Sequence, residues 1–193
     1  APTCAGARDA PPRAPPCADP PVLDRAVIAH QARPVEFRRD ELDWLLELLA
    51  TPSVSPLEGG APAATAEAQR VVAEGARARG FSVALFEPPP REVLDAPLVP
   101  ASVLACAREH GDAFLAQQPC LVLRYGSEQP AERRLTLNFH VDTVAPHIAP
   151  RVRDGRIHGR GAIDSKGPGI AALLGIAAAF REEPALADAI EIL

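Results

Sequence analysis

The sequence predicts an α/β fold, a mostly parallel sheet flanked by helices, and three observations carry that expectation. Amphipathic stretches with apolar residues at i, i+3 and i+4 alternate along the chain with short strand-like runs such as FSVALFE, CLVLRY and LTLNF. A wholly apolar stretch, PGIAALLGIAAAF, has the character of a helix buried against a sheet. A further strand-like run, AIEIL, follows it, so helices and strands alternate to the end of the sequence.

Taken in order, Ala1 to Pro21 is rich in proline and alanine and lacks apolar periodicity, which predicts a disordered or polyproline-like leader. Ordered structure is expected to begin between Val22 and Arg38, dividing the chain into a leader and lead-in segment over 1–38 and a folded part over 39–193. Asp40 to Ala50 predicts the first helix, with Asp40 as N-cap and Leu42, Leu45, Leu46 and Leu49 on one face. Thr51-Pro52 stops it, because a residue before proline is pushed out of the helical region. Trp44 lies off the leucine stripe and is expected to cover the leader or another subunit. Ala64 to Arg79 predicts a second helix facing inward through Ala68, Val71, Val72 and Gly75, with Gly80 as its left-handed cap.

Phe81 to Glu87, Cys120 to Tyr125 and Leu135 to Phe139 predict strands. Pro88 to Pro119 is a long, proline-interrupted connection with room for a short helix between Val99 and Leu115. Asp154-Gly155 marks a hairpin over Arg151 to His158. Pro168 opens the apolar helix that runs to Phe180, and Pro184 ends it.

At 193 residues the chain is long enough for one ordinary core, burying about 70% of the unfolded surface. The net charge of −5 and the lack of any Lys/Arg run argue against nucleic acid as a partner. Cys4, Cys17, Cys106 and Cys120 show no CxxC spacing, which fits reduced thiols in a cytoplasmic protein. No apolar run reaches the 18 or so residues that span a bilayer, and no secretory signal is visible, so no membrane role is expected. The chain starts at Ala1 and contains no methionine, as a sequence trimmed at its front would.

The chemistry concentrates between Leu135 and Gly169. His140 and Asp142 follow the LTLNF run, where ligand sites form in open α/β sheets. In an extended segment residues i and i+2 project to one side. The Asp142 carboxylate can therefore accept a hydrogen bond from one imidazole nitrogen and leave the other for a metal. Asp164 follows 24 residues after His140, in a glycine-rich turn ahead of the apolar helix, and its two oxygens could bridge two cations. His147 and His158 lie in the same segment and could reach the site mouth, with packing the expected role for His158. His30 and His110 are expected to face solvent, and Lys166 reads as a surface lysine where the helix begins.

FHVDTV followed by DGRIHGRGAIDSKGPGIAALLGIAAA resembles the two-zinc amidohydrolases and metallopeptidases that include acetylornithine deacetylase, succinyl-diaminopimelate desuccinylase, aminoacylase and the glutamate carboxypeptidases. LLATPSVSP from Leu48 to Pro56 and ARARGFSV ending at Val83 are similar to that family's opening, so the resemblance runs from about Asp40 to Leu193. It implies the phosphorylase/hydrolase-like catalytic domain of a zinc exopeptidase. It assigns His140 and Asp164 as metal ligands, Asp164 bridging two Zn2+ ions, with Co2+ or Mn2+ as alternatives. Asp142 becomes the catalytic-centre carboxylate that orients His140, and a cis peptide is implied at Asp164-Ser165.

The implied reaction is hydrolysis of an amide in an N-acyl amino acid or small peptide, by a deacylase or dipeptidase. The family's general base lies in a Glu-Glu pair beyond the strand that here reads AIEIL, a third carboxylate ligand and a histidine come later, and a lid domain mediates homodimers. None of these follows within this sequence. Glu182-Glu183 precedes the strand and reads as a solvated helix end. The expectation is an incomplete catalytic domain lacking its lid and inactive alone, or else a non-catalytic binding or assembly module that keeps the scaffold.

Overall fold

A computed structural model describes residues 37–189 and 191–193. The leader over 1–36, with His30, Cys4 and Cys17, lies outside the described residues. The first helix, α1 (Arg39–Ala50), begins one residue before its expected start. Its cap is not Asp40: the N–H of Arg38 donates to Glu41 Oε2 at 2.9 Å, and the acidic first turn, Asp40 and Glu41, complements the helix dipole. Thr51 is extended, as its place before Pro52 requires. The buried face is Trp44, Leu45, Leu48 and Leu49, rotated from the expected stripe so that Leu42 and Leu46 are only half-buried.

Trp44 accounts for that rotation. It is buried against α2 (Ala64–Arg77) rather than lying off the packed face. Its Nε1 donates to the carbonyl of Val71 at 2.9 Å, and the Arg79 guanidinium lies 4.5 Å from the ring centre. Gly75 supplies the space for the indole, since a Cβ there would run into the ring. The helix ends two residues short of the expected Arg79, with Ala78 at its cap, and Gly80 takes the expected left-handed turn at φ 94°.

The strands β1 (Ser82–Glu87) and β2 (Cys120–Arg124) pair antiparallel, with Glu87 opposite Cys120. Between them the chain forms α3 (Ala101–His110) and α4 (Asp112–Ala116), broken at Gly111, and re-enters the sheet at the end it left. That path gives an antiparallel pair where simple alternation suggested a parallel one. Next come β3 (Arg134–Leu135) and the hairpin β4 (Arg151–Arg153) and β5 (Arg156–His158), whose Asp154 and Gly155 both take positive φ, the geometry of a type I′ turn. The long apolar helix α5 (Lys166–Glu182), the short α6 (Leu186–Ala189) and β6 (Glu191–Ile192) complete the order.

The class is α/β, but a large parallel sheet is not seen among the described residues. β3 and β6 form a two-residue parallel ladder, and a bridge between Tyr125 and Ile192 joins it antiparallel to β2. The spatial order is therefore β1-β2-β6-β3, of mixed direction. The LTLNF run continues extended past β3 with few partners: Leu137 N–H donates to the carbonyl of Leu193, and Thr143 forms a parallel bridge with Val54. A single core joins α1, α2 and α5 to this strand through Leu48, Val72, Val141, Ile170 and Leu173. Gly169 lets α5 lie close against Phe139, where a Cβ would strike the ring.

Candidate functional site

The extended segment that carries His140 is held by hydrogen bonds at both ends and at His140 itself. Below it, Leu137 N–H donates to the Leu193 carbonyl at 2.7 Å. Above it, the fully buried Ser53 donates its hydroxyl to the Val141 carbonyl at 2.6 Å, and Thr143 N–H donates to the Ser53 carbonyl at 2.9 Å. Ser53 belongs to the LLATPSVSP stretch, so that part of the sequence serves as the brace for the HxD strand.

The structure brings His140, Asp142 and Asp164 together. The imidazole Nδ1 of His140 lies 2.9 Å from the Asp142 carbonyl and 3.2 Å from its Oδ1. The opposite nitrogen, Nε2, lies 3.0 Å from Oδ1 of Asp164. Nδ1 faces two acceptors, which favours a hydrogen on that nitrogen and leaves Nε2 turned towards Asp164. A proton or a cation between Nε2 and the Asp164 oxygen satisfies both atoms. Partial burial lowers the pKa of His140. Hydrogen bonding to Asp142 and Asp164, with the charge of both carboxylates, outweighs burial and leaves the pKa raised. The peptide bond Asp164–Ser165 is cis.

His140 and Asp142 are roughly half exposed, and Asp164 is 84% exposed, so an ion can reach all three. They line an open cleft with Glu58, His158 and Arg160. His158 is exposed on that cleft rather than packed, while His147 is half-buried and away from it. Glu182 and Glu183 are exposed at the end of α5, as expected of a solvated helix end.

Lys166 overturns its reading as a surface residue. It is fully buried, and its Nζ donates to the carbonyls of Leu48 and Thr51, each at 2.9 Å, at the C-terminal end of α1. Burial lowers its pKa from 10.5 to about 8. Sequence reasoning also passed over Ser165, whose hydroxyl accepts from His140 N–H at 3.1 Å and donates to His140 C=O at 2.9 Å. Its place directly after Asp164 was the one available signal.

The donor types, a neutral imidazole nitrogen and a carboxylate, fit a divalent metal such as zinc. Their number does not complete a site. Among the described residues no group of three or more His, Cys, Asp or Glu side chains is placed to hold an ion, and a tetrahedral zinc takes about four donors.

Residues 136–193 match the model of peptidase family M20/M25/M40. The matched stretch contains His140, Asp142, Asp164, α5 and β6, so the M20/M25/M40 likeness rests on the segment that carries the site. It is narrower than the Asp40–Leu193 span expected, and the Leu48–Pro56 brace lies outside it. No curated protein matches the chain. The M20/M25/M40 match points to a hydrolase of the metallopeptidase class, with metal-dependent peptide hydrolysis as the general chemistry. Among the described residues no helix is long and apolar enough to cross a membrane.

Proposed function

We propose that this chain carries the His–Asp half of a metal-dependent amide hydrolase centre. The substrate is an N-acyl amino acid or a small peptide, and zinc is the metal. The observation that carries the reading is the His140 ring, fixed by Asp142 at Nδ1 and turned towards Asp164 at Nε2. In this reading His140 and Asp164 would hold the ion, Asp164 has a second oxygen to offer, and Asp142 would hold the His140 tautomer. A bound ion supplies carbonyl polarisation and a water acidified towards neutrality. The amide belongs to a deacylase substrate or to a dipeptide, the two classes that share this chemistry.

The donor count favours a second reading for the chain taken alone: an α/β module that binds without turning over substrate. Equilibrium dialysis against zinc tests the first reading. The chain is expected to retain zinc weakly, and H140A and D164A are expected to lose that retention. Equal retention by all three would remove the proposed donors. With zinc or cobalt added, the chain is expected to leave N-acetyl amino acids and dipeptides intact. Turnover would overturn the two-donor account of its inactivity.

A further inference from the structure

We propose that Ser165 is a positioning residue for His140, tying the main chain of the imidazole donor to the turn that carries the carboxylate donor. The inference rests on the reading of His140 and Asp164 as a donor pair. One hydroxyl satisfies both main-chain groups of His140, accepting its N–H at 3.1 Å and donating to its C=O at 2.9 Å. These groups sit on an extended strand that a neighbouring strand would otherwise satisfy. Among the described residues no sheet partner does so, because the ladder to β6 covers only Arg134 and Leu135 and the flanking main-chain anchors lie at Leu137, Val141 and Thr143.

Burial does not fix the donors either, with His140 about half exposed and Asp164 more exposed still. The relative placement of two side chains 24 residues apart therefore depends on this joint. Ser165 occupies the N-cap position of α5, where a serine hydroxyl ordinarily bonds a main-chain N–H of the first helical turn. It makes no such bond, and its hydroxyl is committed to His140 instead. Asp164 precedes it directly, so any shift of the His140 main chain relative to Ser165 changes the distance from Nε2 to the carboxylate.

The test is nitrogen NMR of the histidine rings in the full 193-residue chain, without metal and during zinc titration. In the metal-free chain S165A is expected to move both His140 ring nitrogens towards the values of a free, tautomer-averaged imidazole, while S165T, which keeps the hydroxyl, restores the wild-type values. Zinc affinity read from the same resonances is expected to fall about tenfold in S165A, the lower end of the loss seen when a partner of a metal ligand is removed. Should S165A not fold, S165C, with its weaker hydrogen-bonding thiol, is expected to fall between serine and free imidazole. Wild-type His140 resonances in S165A, or failure of S165T to restore them, would overturn the assignment even if the variants melt earlier. A wild-type chain whose His140 ignores zinc would sink the donor-pair reading instead, and the metal-free resonances would still decide the role of Ser165.

Discussion

At the scale of single residues, Lys166 places an ammonium group out of contact with solvent against the carbonyls that end α1. Those carbonyls lack intrahelical partners, so the lysine acts as a cap delivered from a distant helix. Replacing it with methionine removes two hydrogen bonds and is expected to destabilise the fold by about 1–3 kcal/mol at neutral pH, measured by urea denaturation. The pH dependence has a definite sign. Because the folded pKa is lowered to about 8 from 10.5, the unfolded chain holds more protons between those values, and stability attributable to Lys166 rises with pH across that window. The difference between wild type and K166M should therefore grow from pH 8 to pH 10.5, and a difference that shrinks would contradict the burial of the amine. Trp44 and Gly75 make a second residue-scale case. A methyl group at Gly75 meets the indole, so G75A is expected to cost about 1–3 kcal/mol despite its better helix propensity, read as a lower urea midpoint.

Among the elements, β6 joins the two halves of the sheet, and Glu191 is its fastening. The carboxylate is fully buried, accepts the N–H of Gln129 at 3.0 Å and Nε of Arg134 at 2.8 Å, and lies 2.7 Å from Nε of Arg124. The Gln129 and Arg134 hydrogen bonds hold its pKa below the usual carboxylate value, against the opposing effect of burial. A depressed carboxylate stabilises the fold above its unfolded pKa, and that contribution is lost as pH falls through the folded value. Acid melts should show this: E191Q is expected to be less stable than wild type at neutral pH and to lose less on acidification below the ordinary carboxylate range. Equal acid sensitivity in both would remove Glu191 from the account. The helices α1, α2 and α5 were legible because their apolar periodicity and proline or glycine stops act locally. The direction of β2 was not, since it depends on how the break at Gly111 turns the chain between α3 and α4. The burial of Lys166 was hidden for the same reason: its partners lie more than a hundred positions away in sequence.

For the molecule as a whole, the candidate site is an open convergence on a strand held at its ends by Leu193 and Ser53 and at His140 by Ser165. The pairing of His140 with Asp142 was legible in the i, i+2 spacing, which follows from local backbone geometry, whereas Asp164, 24 residues on, was placed beside them only by the family resemblance. The Ser165 joint and the Ser53 brace were not legible, as each is a hydrogen bond between segments that only the fold brings together. Among the described residues no three candidate ligands are placed to share an ion, which is why the proposed centre is half of one. The most direct measurement of the central claim is X-ray absorption at the zinc edge on the chain at saturating zinc. The expected spectrum shows scattering from one imidazole per zinc beside oxygen ligands, with the imidazole contribution absent in H140A. Imidazole scattering that persists in H140A would contradict the assignment of His140 as the metal-facing histidine.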